Sequence, residues 1–325
     1  MKKIGTTVNW GIIGCGDVCE VKSGPAFNKV PNSKLVAVMR RDEAKAADFA
    51  KRHGVPKFYS DASKLINDPG VNAIYIATPP STHAPYMEEA LKAGKPVYVE
   101  KPVTLSADLC RKMINTKNQL DGFVSVAHYR RQLPLFRKVK ELIAQGAIGR
   151  VTLMTLTTLQ PKASKIITQT ADNWRVQPDI SGGGLFNDLS PHQLDIAYWL
   201  FGKPLKVNGR SLNQAEIYNA PDLATLGAEF QNKVVLNGVW AFNVGEAATR
   251  DVCEIVGSEG FIRFSFFRKS TIEVNGNVLE MDYPENIQQP MIDAVTKFFR
   301  GEGENPCSLE DALTVMEMID SANHS

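Results

Sequence analysis

Residues 8–20 read VNWGIIGCGDVCE, and the order of residue types in this stretch decides the fold. Val8 to Ile13 is an apolar run of strand type. Gly14-x-Gly16 follows at once, and the small Cys19 stands where a third glycine would allow close helix–strand packing. A Gly-x-Gly pair by itself is short and recurs by chance. Here it closes a strand and opens a helix inside a first βαβ unit, the setting in which such a loop holds a dinucleotide pyrophosphate. Gly14 permits the tight turn, and Gly16 lets the main chain approach the phosphates.

The pattern continues outward from that loop. Apolar runs at 8–13, 34–39, 73–77, 96–99 and 123–126 alternate with helix-like stretches such as DEAKAADFAKRHG and THAPYMEEALKAG. Strand and helix alternating at this spacing imply a parallel sheet. Past residue 130 the texture changes. LPLFRKVKELIAQGAIG reads as an amphipathic helix, and β-rich segments follow at 149–159, 205–213, 223–230, 233–242, 252–256 and 261–264. Two helices close the chain near 285–300 and 308–321. The expectation is an α/β N-terminal Rossmann-type parallel-sheet domain over 1–125. An α+β C-terminal domain with a large, mostly antiparallel open sheet then fills 126–325. The helices suffice to cover one face of that second sheet. The other face is the expected interface of a homodimer or homotetramer.

Composition bounds the function. The 325 residues carry 37 basic and 35 acidic side chains, a net charge of +2, which argues against nucleic acid or an anionic membrane as partner. There is no apolar run of membrane-spanning length. The opening MKKIGTTVNWGIIG lacks a continuous apolar segment and a small-residue cleavage site, so no secretory leader is expected. Five irregularly spaced cysteines, Cys15, Cys19, Cys110, Cys253 and Cys307, suggest a reducing, cytoplasmic setting. Cys15 and Cys19 lack a matching second pair, so no metal site is expected.

Two further stretches carry chemistry. The second strand ends in KLVAVMRRDEAKA, with Arg40 and Arg41 where NAD sites commonly place an acidic residue. Guanidinium groups suit a 2′-phosphate, so NADP is the preferred coenzyme and NAD the alternative. Asp42 reads as the N-cap of the next helix. In SGGGLFNDLSPHQLDIAYWLFG (181–202), Ser190 and Pro191 read as N-cap and first position of a helix over 191–201. His192 then falls in the first turn, where the helix terminus favours a neutral ring able to accept a proton. Asp188 and Asp195 are both placed to hold its tautomer.

With these residues in view, the whole chain resembles the Gfo/Idh/MocA oxidoreductases. The resemblance rests on the glycine loop, ATPPSTH at 77–83, EKPVTLS at 100–106 and GGGLFNDLSPHQLD at 182–195. It implies catalytic roles for Lys101, Asp188 and His192. It implies coenzyme contacts at Gly14, Gly16, Asp17, Val18, Arg40, Arg41, Thr78, Pro79, Glu100 and Lys101, and a cis bond between Lys101 and Pro102. Ser190 departs from the glycine usual in the family, which bears on the local turn or the pocket. The implied reaction is hydride transfer between nicotinamide and a secondary alcohol or carbonyl of a sugar, cyclitol or derivative. Lys101 would act on the reacting oxygen and His192 on the proton, while Asp188 would orient His192 or hold a substrate hydroxyl. Tyr129, Arg130, Arg131, Trp174 and Arg175 are candidate substrate contacts, and His83 is assigned to a helix start. The alternatives are an NAD-dependent glycosidase of the same family, a non-enzymatic NADP-sensing regulator on the same fold, and an aromatic-diol or pigment reductase.

Overall fold

The computed structural model describes residues 2–162, 164, 166 and 173–323. Two compact units result. The first comprises residues 1–129 and 284–313, the second 130–283 and 314–325.

In the first unit six parallel strands run in the order β3-β2-β1-β4-β5-β6. They are β1 (Val8–Ile13), β2 (Ser33–Met39), β3 (Lys57–Tyr59), β4 (Ala73–Ile76), β5 (Val97–Val99) and β6 (Val124–Val126). The sequence pattern had five of them. β3 is three residues long with Lys57 and Phe58 exposed, so it shows no apolar run. The helices α1 (Glu43–His53), α2 (Ala62–Ile66), α3 (His83–Lys92) and α4 (Ala107–Gln119) join the strands. Asp42 caps α1 as expected, its carboxylate accepting from Lys45 N. The helix opened by the glycine loop is irregular, with π-type Cys19–Ser23 followed by 3-10 Gly24–Asn28. Trp10, Phe27, Tyr75, Tyr98 and Phe299 are fully buried and in ring contact, with Trp10–Phe27 and Tyr75–Tyr98 both at 5.0 Å.

The expected single division near residue 125 is corrected here, because residues 284–313 return to the first unit. Long-range bonds explain it. Val126 N donates to Cys307 O at 2.9 Å, the Asn305 amide donates to Val124 O at 2.8 Å, and Tyr98 Oη donates to Gln288 Oε1 at 3.1 Å. Strand edges and a buried hydroxyl are satisfied by chain more than a hundred residues away, which spacing cannot reveal.

The second unit begins with α5 (Pro134–Ala144) and β7 (Val151–Leu159). Two helices follow, α6 (Pro178–Ser181) and α7 (Leu185–Phe201), then β8 (Pro204–Leu212), β9 (Leu223–Phe230), β10 (Val235–Ala241), β11 (Arg250–Gly257) and β12 (Gly260–Phe264). Two strands absent from the sequence reading, β13 (Thr271–Val274) and β14 (Asn277–Glu280), complete an eight-stranded sheet in the order β14-β13-β12-β11-β7-β10-β9-β8. All its pairings are antiparallel except β7 with β10. The chain closes with α8 (Gln289–Arg300), which belongs to the first unit, and α9 (Leu309–Asn323), which starts in the first unit and ends in the second.

One face of this sheet is buried. Phe186 of α7 meets Trp240 at 5.0 Å, and Phe136 of α5 meets Phe264 at 5.8 Å. Gly209 leaves room for Ala322, since a Cβ there would lie 2.8 Å from the Ala322 Cβ. The alternate residues Val151, Leu153, Thr155, Thr157 and Leu159 stay half-buried on the opposite face.

Candidate functional site

The order of the first sheet reverses between β1 and β4, the crevice in which open α/β sheets hold their ligands. Gly14 takes φ +90°, and a Cβ there would lie 2.6 Å from Thr78 Cγ2 and 2.9 Å from Thr78 N. The loops after β1 and β4 therefore abut, which brings Gly14 and Thr78 together, with Pro79 beside them. A Cβ on Gly16 would meet nothing within 4 Å. That open approach fits a dinucleotide pyrophosphate. Asp17 is exposed and Val18 half-buried at the start of the helical segment. Cys19 packs under the turn, its thiol 3.7 Å from Gly14 O. Burial pushes the Cys15 thiol up to about 11 and the Cys19 thiol higher still, which leaves both protonated. Arg40 Nη1 donates to Cys15 O at 3.4 Å, so one predicted guanidinium lies against the glycine loop, while Arg41 is exposed.

At the end of β5 the two halves of Glu100-Lys101 part company. Glu100, expected to face the coenzyme, is 6% exposed and turned inward. Its Oε1 accepts from Tyr75 Oη at 2.6 Å and from Gln288 Nε2 at 2.7 Å, and its Oε2 accepts from Lys101 N at 3.2 Å. Burial, then the Glu100 charge, pushes the Tyr75 phenol well above its ordinary range, so Tyr75 stays a donor. Lys101 is half-buried, and the Lys101–Pro102 bond is cis. His83 is fully buried, with Nε2 2.7 Å from Thr78 O and Nδ1 3.0 Å from Pro102 O. Desolvation pulls its pKa down. His83 thus ties the loop after β4 to the loop after β5, a role the sequence reading had not given it.

In the second unit α7 starts earlier than expected. Gly182, Gly183 and Gly184 have φ of 89°, 157° and 85°, and a Cβ on Gly184 would lie 2.6 Å from the Ala220 Cβ. The turn needs these glycines, and the helix begins directly after them at Leu185. Ser190 and Pro191 are therefore inside the helix, not its cap and first residue, and His192 sits beyond the first turn. The terminus argument passes from His192 to Asp188, whose carboxylate lies in the first turn where a helix favours negative charge. Asp188 and His192 are four apart and share one face.

The remaining polar groups of α7 serve packing. Gln193 donates to Thr158 Oγ1 at 2.9 Å and accepts from Trp240 Nε1 at 2.6 Å. Asp195, one of two candidates to orient His192, instead takes a buried fork from Arg131, with Nη2 at 2.7 Å and Nε at 3.0 Å. Both Arg131 and Asp195 are almost wholly buried, which removes Arg131 from the substrate candidates. Arg175 Nε lies 3.2 Å from Asp188 Oδ2, and its guanidinium stacks on Trp174 at 4.4 Å. Of the two predicted substrate contacts, Arg175 is brought to Asp188 and Trp174 to Arg175. Tyr129 is buried, at 4% exposure. Of the segment 160–179 expected near the pocket, residues 163, 165 and 167–172 lie outside the described residues.

One neighbour of His192 escaped the sequence reading. The Phe267 ring lies 6.0 Å from the His192 ring at 61°. Its signal was a break in alternation. Ile262, Phe264 and Phe266 are the buried positions, and Phe267 adds a second consecutive aromatic out of phase.

Comparison with known proteins agrees with this fold. Residues 8–128 match an oxidoreductase family with an NAD-binding Rossmann fold, and residues 136–263 match the GFO/IDH/MocA C-terminal domain. Oxidoreductase P35 of Formosa agariphila is 43% identical over 317 residues, 96% of this chain and 97% of its own. The scyllo-inositol 2-dehydrogenase (NAD(+)) of Bacillus subtilis is 28% identical over 272 residues, 82% of this chain and 76% of its own. A crystal structure of an oxidoreductase from Thermotoga maritima has a TM-score of 0.86 at 23% identity, covering 97% of this chain and 95% of that one.

The glycine loop yields a paired test. Gly14→Ala should lower stability by about 2 kcal/mol or more, from positive φ and overlap with Thr78. Gly16→Ala should melt like the parent protein yet bind reduced nicotinamide coenzyme about tenfold more weakly. Thermal melts and fluorescence titration read the two effects separately, and unchanged coenzyme affinity in Gly16→Ala would sink the assignment.

Proposed function

Because the chain belongs to the Gfo/Idh/MocA oxidoreductase family, we propose that it transfers a hydride between nicotinamide and a secondary alcohol or carbonyl of a sugar, cyclitol or derivative. The observation that carries this reading is the placement of Asp188 and His192 one turn apart on one face of α7. The other acidic group of that helix, Asp195, is bound to Arg131. The cyclitol named for the Bacillus subtilis relative supports the substrate class. Bound nicotinamide supplies the hydride acceptor or donor. Lys101, at the carboxyl end of a parallel strand, favours negative charge developing on the reacting oxygen. His192 takes the hydroxyl proton in oxidation and returns it in reduction. Asp188, held in place by Arg175, orients His192 or holds a neighbouring hydroxyl. The five cysteines, all unbridged and buried, support a cytoplasmic setting. Among the described residues no helix is long and apolar enough to cross a membrane.

A panel of polyols, aldoses and ketoses with each coenzyme, followed by nicotinamide absorbance, tests the reaction. On the first substrate found, Lys101→Met should lower turnover by about a hundredfold with coenzyme affinity nearly kept. His192→Ala should cost about 10²–10⁴ in rate. The double variant should lose less than the product, since both groups serve one transfer. Parental turnover in Lys101→Met would refute its role.

The coenzyme in this reading is NADP(H) in preference to NAD(H). Support comes from Arg40, held at the glycine loop where an acidic residue would repel a 2′-phosphate. Arg40→Asp should weaken NADPH about tenfold or more while sparing NADH. Equal dissociation constants in the parent protein would count against the preference.

The half-buried face of the second sheet supports assembly into a homodimer or homotetramer. Val151, Leu153 and Leu159 give it apolar character on a surface that water otherwise covers. Sedimentation velocity at micromolar concentration should show a dimer or tetramer, and a monomer would overturn the assignment.

A further inference from the structure

We propose that Phe267 determines specificity for ring-shaped, uncharged polyols by forming the wall on which the apolar C–H face of the substrate packs beside His192. The inference rests on the reading of His192 as the proton-transfer group.

Three features carry it. Phe267 is half-buried and stands 6.0 Å from the His192 ring. One side of its ring is taken by the Arg130 guanidinium, 4.8 Å from the centroid. The exposed remainder is therefore another part of the ring. Finally, the loop that carries it is pinned. The Asp251 carboxylate, 5% exposed, accepts Phe267 N at 2.7 Å and Phe266 N at 3.2 Å. Burial raises the Asp251 pKa while these two backbone donors, and the charges of Arg130 and Arg268, oppose the rise. An aromatic wall held by stacking behind and a double backbone clamp below is preorganised, which is what a platform for a rigid ring needs.

The neighbouring charges indicate which ring. Sequence offered Arg130, Arg131 and Arg175 as candidate substrate contacts. Arg131 is forked onto Asp195, Arg175 lies on Asp188, and Arg130 stacks on Phe267. These cations already have counter-charges or rings in the fold. The chemistry beside His192 is then apolar contact plus hydrogen bonding, which a pyranose or cyclitol meets with C–H groups on its faces and hydroxyls on its rim.

The test compares inositols and aldopyranoses with open-chain hexitols, in the parent protein and in Phe267→Leu, Phe267→Ala and Phe267→Tyr. In Phe267→Leu and Phe267→Ala the KM for ring substrates should rise about tenfold more than the KM for hexitols, with kcat moving less than KM. Phe267→Tyr should restore the parental ring preference. Thermal melts confirm that the variants fold, and Phe267→Leu leaves a smaller void should Phe267→Ala not fold. Equal losses on ring and open-chain substrates, or unchanged ring KM in Phe267→Leu, would overturn the proposal while leaving the oxidoreductase reading intact. A parent protein that turns over hexitols and no ring substrate would overturn it too. If the parent turned over no polyol with either coenzyme, the functional reading itself would fail, and this inference with it.

Discussion

A buried carboxylate governs the first unit. Glu100 ends a parallel strand inside the protein, where an ionised group without donors is expensive. Its oxygens are satisfied by a phenol, an amide and the next backbone N–H. The phenol requires Tyr75 on the adjacent strand. The amide requires Gln288, nearly two hundred residues away, which is why the chain returns to this unit before α8. With Glu100 committed inward, the side chain after it is directed elsewhere, and that side chain is Lys101. The lysine following a core strand is thus explained by the carboxylate before it.

The second unit handles its polar residues in the same way. Helix α7 lies almost wholly inside, and hydrogen bonds decide which side chains belong to packing. Gln193 is fixed by Thr158 and Trp240, and Asp195 by Arg131. Successive helix residues turn by about 100°, so residues four apart share a face and residues two apart point about 200° away. Asp188 and His192 are four apart. Ser190 is two from each and fully buried. Its departure from the family glycine therefore falls on the packed side of the helix, not on the face with the titratable pair. No turn is affected either, because the chain is helical on both sides of it.

Much of the candidate site was legible because the chemistry proposed for it demands particular residue types at element ends. A glycine loop after a strand, a Glu-Lys-Pro at another strand end and an Asp-x-x-x-His on a helix each sit within a few residues of sequence. Local signals also misled. Ser190-Pro191 is a sound N-cap by its own residues, but the three glycines before it allow a helix to start sooner, and tertiary packing keeps that start. Strands β3, β13 and β14 are as short as β4, β5 and β6 but mostly exposed or half-buried, so they show no apolar run. Their pairing is set by neighbours already in the sheet.

What stayed hidden has one physical origin. Arg131 and Asp195 are 64 residues apart, and Arg130 and Phe267 lie on separate elements. A sequence shows that a charged residue exists, not whether the fold has already given it a counter-charge. Three arginines near the expected pocket therefore read as candidate substrate contacts, whereas two of them form ion pairs and the third stacks on aromatic rings. Burial strengthens that conclusion. A guanidinium fully removed from water is costly unless paired, and breaking such a pair leaves an uncompensated charge worth about 3–5 kcal/mol. Releasing Arg131 from Asp195 to bind a substrate would meet that cost at every turnover. Arg131 is thus committed to holding α7.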